Sequence, residues 1–339
     1  IEFIKDYTNQ LSIFPKENPN AILYVDHSHC IGFYYSFFYR TIHNLLVNVG
    51  FTEFYPKLFL NLVVMRLLEP SSKLRSIELL EQYFGIVHRR QSYYRDTKKW
   101  LLLKEKTEEI VLSFAKKEYS FDHSFLFYDV TTLYFETFES DELRRTGFSK
   151  DSKSQQPQIL VALMVNREGF PIAFDMFPGN TFEGHTIIPV IKSYIDKTKV
   201  KNFTVVADAA MISTENVAEL KKEGIHYIVG ARLGNLSQNI FEQIDKTIIR
   251  EDGKIIRLKT DKGYLVCSYS STRYRKDKYE MEKQLAKAKD IIERPSKSKK
   301  VKFVKADKDQ LIINQNLIDK TEKLLGLKGY YTDIEENVL

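Results

Sequence analysis

The spacing of apolar residues along the chain changes period near residue 120. Before that point it is helical. Phe33 to Val49 is apolar and aromatic at helical spacing, and Lys57 to Glu69 is a second apolar segment closed by Pro70, which has no amide to continue a helix. Ser71 or Ser72 can cap the next helix, whose face is Leu74, Ile77, Leu80 and Phe84, and Gly85 is its stop. Gln91 to Lys117 predicts one or two further helices.

Beyond residue 120 the pattern predicts strands. His123 to Glu136, Gln158 to Asn166 and Phe170 to Phe177 are the first three, with Arg167-Glu168-Gly169 as a hairpin turn. Thr186 to Lys197 is an amphipathic helix and Asn202 to Asp208 a fourth strand. Ser213 to Glu223 is a helix ended by Gly224, and His226 to Gly230 a fifth strand. Residues 234–310 interrupt this order. Ile248 to Ser268 predicts a hairpin, with Glu251-Asp252-Gly253 and Asp261-Lys262-Gly263 as turn signals. Arg273 to Glu293 predicts a charged helix and residues 296–300 a loop, before Gly326 to Thr332 returns to a core-like strand. Four segments follow: 1–118, mainly helical; 119–233, the first part of an α/β core; 234–310, an insertion; and 311–339, an incomplete return to the core.

Composition narrows the class. The chain has 339 residues and 43% hydrophobic content, which excludes general disorder. The two cysteines, Cys30 and Cys267, offer neither a disulfide framework nor a zinc spacing, so a reducing cytoplasm is expected. His27, His29 and Cys30 have metal-like but incomplete spacing, better read as polarity at a helix start. No apolar run reaches transmembrane length and no cleavable signal pattern opens the chain. Beginning at Ile1 rather than Met, it is expected to lack its true start.

The net charge of +6 is unevenly spread. Residues 86–106 hold seven Lys/Arg against two acids, and residues 271–305 hold thirteen against five. Such stretches suit the grip of a phosphate backbone, although solvated Lys-rich helices have the same composition. Segments 72–84 and 91–103 could form a helix-turn-helix presenting Arg95, Lys98 and Lys99 to DNA, or a plain bundle with a basic outer face. Lys150, in the loop between the first two strands, Arg232, after the fifth, and Arg273 and Lys276, in the second basic stretch, are further candidate DNA contacts.

Two carboxylates carry the candidate chemistry. Asp129 lies in the run Phe125-Leu-Phe-Tyr-Asp129, and Asp208 closes Phe203-Thr-Val-Val-Ala-Asp208. A carboxylate after such a run is costly to bury without a partner. Both are hard oxygen donors suited to a divalent ion such as Mg²⁺.

The words around them are specific. Tyr128-Asp-Val-Thr-Thr-Leu-Tyr-Phe-Glu136, Phe177-Pro-Gly-Asn-Thr-Phe-Glu183, Val206-Ala-Asp-Ala-Ala-Met211, Tyr227-Ile-Val-Gly-Ala-Arg-Leu233 and Arg66-Leu-Leu-Glu-Pro-Ser-Ser-Lys73 occur in this order. Together they resemble the DDE transposases of bacterial insertion sequences, in particular the insertion-sequence-4 type branch, across residues 35–339. The resemblance implies an α/β, RNase H-like mixed sheet with helices, preceded by an α-helical region and interrupted by a β-rich insertion. It makes Asp129 and Asp208 the first two catalytic acids, binding Mg²⁺ or Mn²⁺. The implied activity is phosphodiester hydrolysis at transposon ends and strand transfer into target DNA. The implied partners are double-stranded DNA and, on DNA, a second copy of the chain.

The family's third acid, a Glu on a helix after the last strand, is expected beyond Leu339. Asp333, Glu335 and Glu336 precede its position and are expected to cap or solvate the start of that helix. Two other readings stay open: a catalytically inactive DNA-binding remnant, and an RNase H-like nuclease unrelated to mobile elements.

Overall fold

The computed structural model describes residues 33–119, 121–148, 153, 155–200, 202–211, 213–294, 301–307 and 310–335. The candidates His27, His29, Cys30, Lys150 and Glu336 lie outside them. The chain divides into two compact units, Ile1–Ile110 and Val111–Leu339.

The first unit is helical. Its helices are α1 (Ser36–Val49), α2 (Lys57–Leu68), α3 (Lys73–Phe84) and α4 (Arg90–Trp100), and α5 (Lys104–Glu118) runs across the unit boundary. Of the two serines that could cap α3, Ser72 does so, its hydroxyl accepting from the Arg75 amide at 3.2 Å. Gly85 ends the helix in the left-handed region at φ 67°, where a side chain would be strained. Leu58, Leu62 and Met65 of α2 pack on Ile77, Leu79 and Leu80 of α3, with Tyr93 and Trp100 of α4 against them.

The second unit is built on an eight-stranded mixed sheet in the order β3-β2-β1-β4-β5-β10-β7-β6. The first five strands are β1 (Phe125–Tyr134), β2 (Gln158–Asn166), β3 (Pro171–Pro178), β4 (Thr204–Ala207) and β5 (His226–Ala231). β1, β2 and β3 are antiparallel neighbours, while β4 runs parallel to both β1 and β5. This is the RNase H-like arrangement. Helices α6 (Ile187–Thr198) and α7 (Thr214–Lys222) connect β3 to β4 and β4 to β5. Their apolar residues, among them Ile187, Ile191, Tyr194, Val217 and Leu220, pack against the alternate strand positions Leu126, Tyr128, Val205, Tyr227 and Val229. On the other face of the sheet Phe127 and Leu163 are 40% and 42% exposed.

Residues 234–310, expected as an insertion, contribute two strands to this sheet. After α8 (Gln238–Thr247), β6 (Ile255–Thr260) and β7 (Gly263–Tyr269) form a hairpin, and β10 (Leu327–Thr332) pairs with both β7 and β5. The hairpin begins at Ile255 rather than Ile248: the turn at residues 251–253 joins α8 to β6, and only the 261–263 signal closes the hairpin. Helix α9 (Ser271–Glu293), strands β8 (Val304–Asp307) and β9 (Gln310–Ile313), and α10 (Gln315–Lys323) make a satellite core around Met281, Ala288, Phe303, Ile318 and Leu325.

Candidate active site

Alternation along β1 sets the orientation of Asp129. Tyr128 and Val130 point into the helix-packed core, so Asp129 projects from the open face. β1 and β4 are paired in parallel up to Tyr128 and Ala207, and the next residue of each chain is Asp129 and Asp208. Both aspartates are exposed. They line one open cleft of about 400 Å³, whose apolar part is Phe127, Leu163, Val165 and Val206.

Buried polar contacts fix the strand exits. The Tyr128 hydroxyl donates to Thr186 Oγ1 at 2.6 Å, and Thr186 donates to the Glu183 carbonyl at 2.6 Å, which pins the loop after β3 beneath Asp129's neighbour. Burial holds the Tyr128 hydroxyl well above the usual phenol range, so it remains a donor. The turn after Asp208 is closed by the Met211 amide donating to the Asp208 carbonyl at 3.0 Å. The Asn216 side-chain amide donates to the carbonyls of Met211 at 2.9 Å and Gly184 at 2.6 Å, tying the loop after β4 to the loop after β3. Asn216 is only 7% exposed.

The loop after β1 is clasped to the end of β3. Arg145 and Gln158 exchange backbone hydrogen bonds of 3.1 and 2.9 Å, and the Gln158 side chain donates to the Gly179 carbonyl at 2.8 Å. A Cβ on Gly147 would fall 2.0 Å from the Gly179 oxygen, and one on Gly179 would fall 2.0 Å from the Gln158 oxygen. Glycine is required at both positions by contact, and Pro178-Gly179-Asn180 is therefore more than a turn.

The acids after the last strand are engaged elsewhere. Asp333 accepts from the Tyr227 amide and from His226 Nδ1, each at 3.0 Å. Glu335 accepts from the Tyr264 hydroxyl at 3.1 Å, while Arg257 donates to the carbonyls of Ile334 and Glu335 at 2.6 Å. His226 opens β5 and Asp208 stands beyond the last residue of the parallel β4, so Asp333 lies toward the opposite end of these strands from Asp208. Among the described residues, no group of three His, Cys, Asp or Glu side chains is placed to hold a metal ion.

The candidate cations are dispersed. Arg95, Lys98 and Lys99 are exposed on α4 of the helical unit. Arg95 is bound to Asp96 at 2.9 Å and Lys99 approaches the same carboxylate at 3.8 Å. In the second unit Arg273 lines a further cleft that includes Asp208. Arg232 and Lys276 are exposed and line neither cleft. Sequence reasoning missed Asn216, whose partners are backbone carbonyls without any sequence signal. Lys302, from the basic stretch 271–305, and Lys328, which lies outside both basic stretches, line the further cleft as well. Cys267 is a buried free thiol, pushed up to about 12 by burial. No described helix is long and apolar enough to cross a membrane.

Residues 120–303 match the family described as transposase DDE domain. No curated protein matches the sequence. Among solved structures, the piggyBac transposase synaptic complex with hairpin DNA is similar at 13% identity and a TM-score of 0.32, over 48% of this chain and 36% of that one. The Mos1 transposase paired-end complex with left transposon end aligns at 14% identity and a TM-score of 0.23, over 66% of this chain and 64% of that one. A pre-cleavage Mos1 transpososome aligns at 14% identity and a TM-score of 0.23, over 55% and 57%. The alignments thus span less than two thirds of each of these chains.

Proposed function

The chain belongs to the transposase DDE domain family, and from that membership we propose that it is a DNA transposase of the insertion-sequence-4 type, acting by metal-dependent phosphodiester hydrolysis and strand transfer. The observation that carries the reading is the placement of Asp129 and Asp208 on one open cleft, each directly after the last paired residues of the parallel β1 and β4. Two exposed carboxylates lining one cleft suit a hard divalent cation, Mg²⁺ or Mn²⁺, by their donor chemistry. Such an ion, when bound, supplies Lewis-acid polarisation of a phosphoryl oxygen and a more acidic bound water.

The chain's own part is binding and orientation. Asp129 and Asp208 would provide the negative charge that holds such an ion. The contacts of Tyr128 with Thr186 and of Asn216 with Met211 and Gly184 keep the two strand exits in register. Phe127, Leu163 and Val206 form the apolar side of the same open cleft. The DNA partners are the element's ends and its target, held by a pair of chains.

Mn²⁺ binding by the purified chain, followed by electron paramagnetic resonance, tests the site. Asp129→Asn and Asp208→Asn should each weaken binding about tenfold or more, the scale of loss at perturbed metal sites, and should abolish any Mg²⁺-dependent cleavage of DNA carrying the gene's flanking sequences. Mn²⁺ binding unaltered in both variants would overturn the assignment. DNA binding without cleavage or metal response would identify a DNA-binding protein instead.

A further inference from the structure

The loop that leaves β1 is acidic, and its backbone is fixed. Residues 136–143 hold Glu136, Glu139, Asp141 and Glu142 and no Lys or Arg, and all four acids are exposed. Asp141 serves the loop itself: its carboxylate accepts the amides of Leu143 at 2.9 Å and Arg144 at 2.6 Å, and the Arg144 guanidinium at 2.6 Å. Glu136, Glu139 and Glu142 carry no ion pair among the described residues. The far end of the loop is clasped. The Leu143 carbonyl accepts the Gly179 amide at 3.0 Å, and the Phe148 carbonyl accepts the Gln158 side-chain amide at 3.1 Å. Phe138 and Phe148 nevertheless stand 85% and 82% exposed. A fixed loop that holds two phenyl rings in water beside unpaired carboxylates presents a docking surface for something both cationic and apolar.

The helical unit carries the complement. Residues 89–99 hold five Lys/Arg against the single acid Asp96. Along α4 and the turn after it, Tyr94, Lys98 and Leu101 recur at i, i+4 and i+7, all exposed, with Leu102 exposed beside them. Lys98 has no ion pair among the described residues, and Arg95 and Lys99 share the one Asp96 carboxylate. The second basic stretch does not offer the same chemistry. On α9 the only large exposed apolar side chain is Tyr279, and the cations alternate with Asp277, Glu280 and Glu282.

We propose that the loop after β1 docks on α4 of a second copy of the chain. Its free glutamates meet Arg95, Lys98 and Lys99, and Phe138 and Phe148 pack against Tyr94, Leu101 and Leu102. Each copy carries both surfaces, so two copies engage each other reciprocally. Charge complementarity sets which surfaces meet, and the apolar tips supply the desolvated centre of the contact. The inference draws on neither the metal site nor DNA, and so stands or falls apart from the transposase reading.

Sedimentation equilibrium of the full chain, over a range of protein and salt concentrations and without DNA, tests the docking. Wild type should self-associate, and more weakly as salt rises. The combined reversal Glu136→Lys, Glu139→Lys, Glu142→Lys should weaken association about tenfold or more, and so should Arg95→Glu, Lys98→Glu, Lys99→Glu, because each sets like charges against each other. An equimolar mixture of the two reversed proteins should recover association close to that of wild type, since each reversed surface then meets its opposite. Phe138→Ser with Phe148→Ser should weaken association and leave its salt dependence in place. Circular dichroism of each variant confirms that these exposed substitutions keep the fold. Wild type that stays monomeric at every concentration, reversals that leave association unchanged, or a mixture no better than either variant alone would overturn the docking.

Discussion

Asp333 accepts the backbone amide of Tyr227 at 3.0 Å, so the carboxylate that follows the last strand closes the start of β5 rather than facing Asp208. This contact separates two roles that are indistinguishable in a list of acids. A carboxylate that closes a strand end has its oxygens committed to backbone and His226, and its loss is felt as stability.

Asp333→Ala should therefore destabilise the second unit by roughly 1–3 kcal/mol, the cost of leaving a part-buried donor unpaired. Urea denaturation would show this as a lower midpoint with unchanged slope. Mn²⁺ affinity should not change. A variant of native stability with reduced metal binding would instead give Asp333 to the metal site.

Asn216 is the buried link between the loops that leave β3 and β4. Replacing it with Ala strands the carbonyls of Gly184 and Met211 and should cost about 2 kcal/mol. Because the Met211 turn begins at Asp208, the loss should also appear as faster amide exchange across residues 209–211 and as weaker Mn²⁺ binding. Asn216→Asp retains the volume but places a carboxylate against two carbonyls, and should be worse than Ala. Unchanged exchange in the turn would show that Asn216 acts on the helix alone.

On α4, Asp96 engages both Arg95 and Lys99, and the Arg95 guanidinium holds the Asp96 carboxyl below the usual range. If this helix meets DNA, Asp96 competes with phosphate for those cations. Asp96→Ala should then strengthen duplex binding and steepen its salt dependence by about one to two contacts. Reversal of Arg95, Lys98 and Lys99 to Glu should weaken it. Indifference to both changes would remove α4 from the DNA interface.

The parts legible in the sequence are those fixed locally. Asp129 and Asp208 stand out because each follows a β-branched or aromatic run whose alternation is unambiguous, and Ser72 and Gly85 mark α3 by capping chemistry. The parts that were not legible depend on distant partners. β10 sits between β5 and β7, a choice between two edges that no local pattern encodes. Helices α8 and α10 are ten and nine residues long, short enough that their apolar positions, Ile240, Phe241 and Ile244 in one and Leu317 and Ile318 in the other, were passed over inside a polar stretch. The turn at Gly253 was recognisable as a turn, yet its flanking elements, a helix and a strand, are not determined by the turn itself.

The latch between α8 and α10 gives a pH dependence whose direction follows from its charges. Asp245 is bound by Lys323 at 2.8 Å and by Arg250 at 3.0 Å. Lys323 first, and Arg250 with it, hold the carboxyl below its ordinary value of 3.8. A carboxyl depressed in the folded state stabilises fully above its unfolded pKa and loses that contribution as pH falls through the folded value. The second unit should thus weaken on acidification through and below the ordinary carboxylate range, and Asp245→Asn should remove part of that acid-dependent loss by lowering stability at neutral pH instead. Urea midpoints measured on both proteins across that range would show converging curves at low pH. Parallel curves, with the same offset at every pH, would mean that the Asp245 charge contributes nothing to the latch and that its packing alone matters.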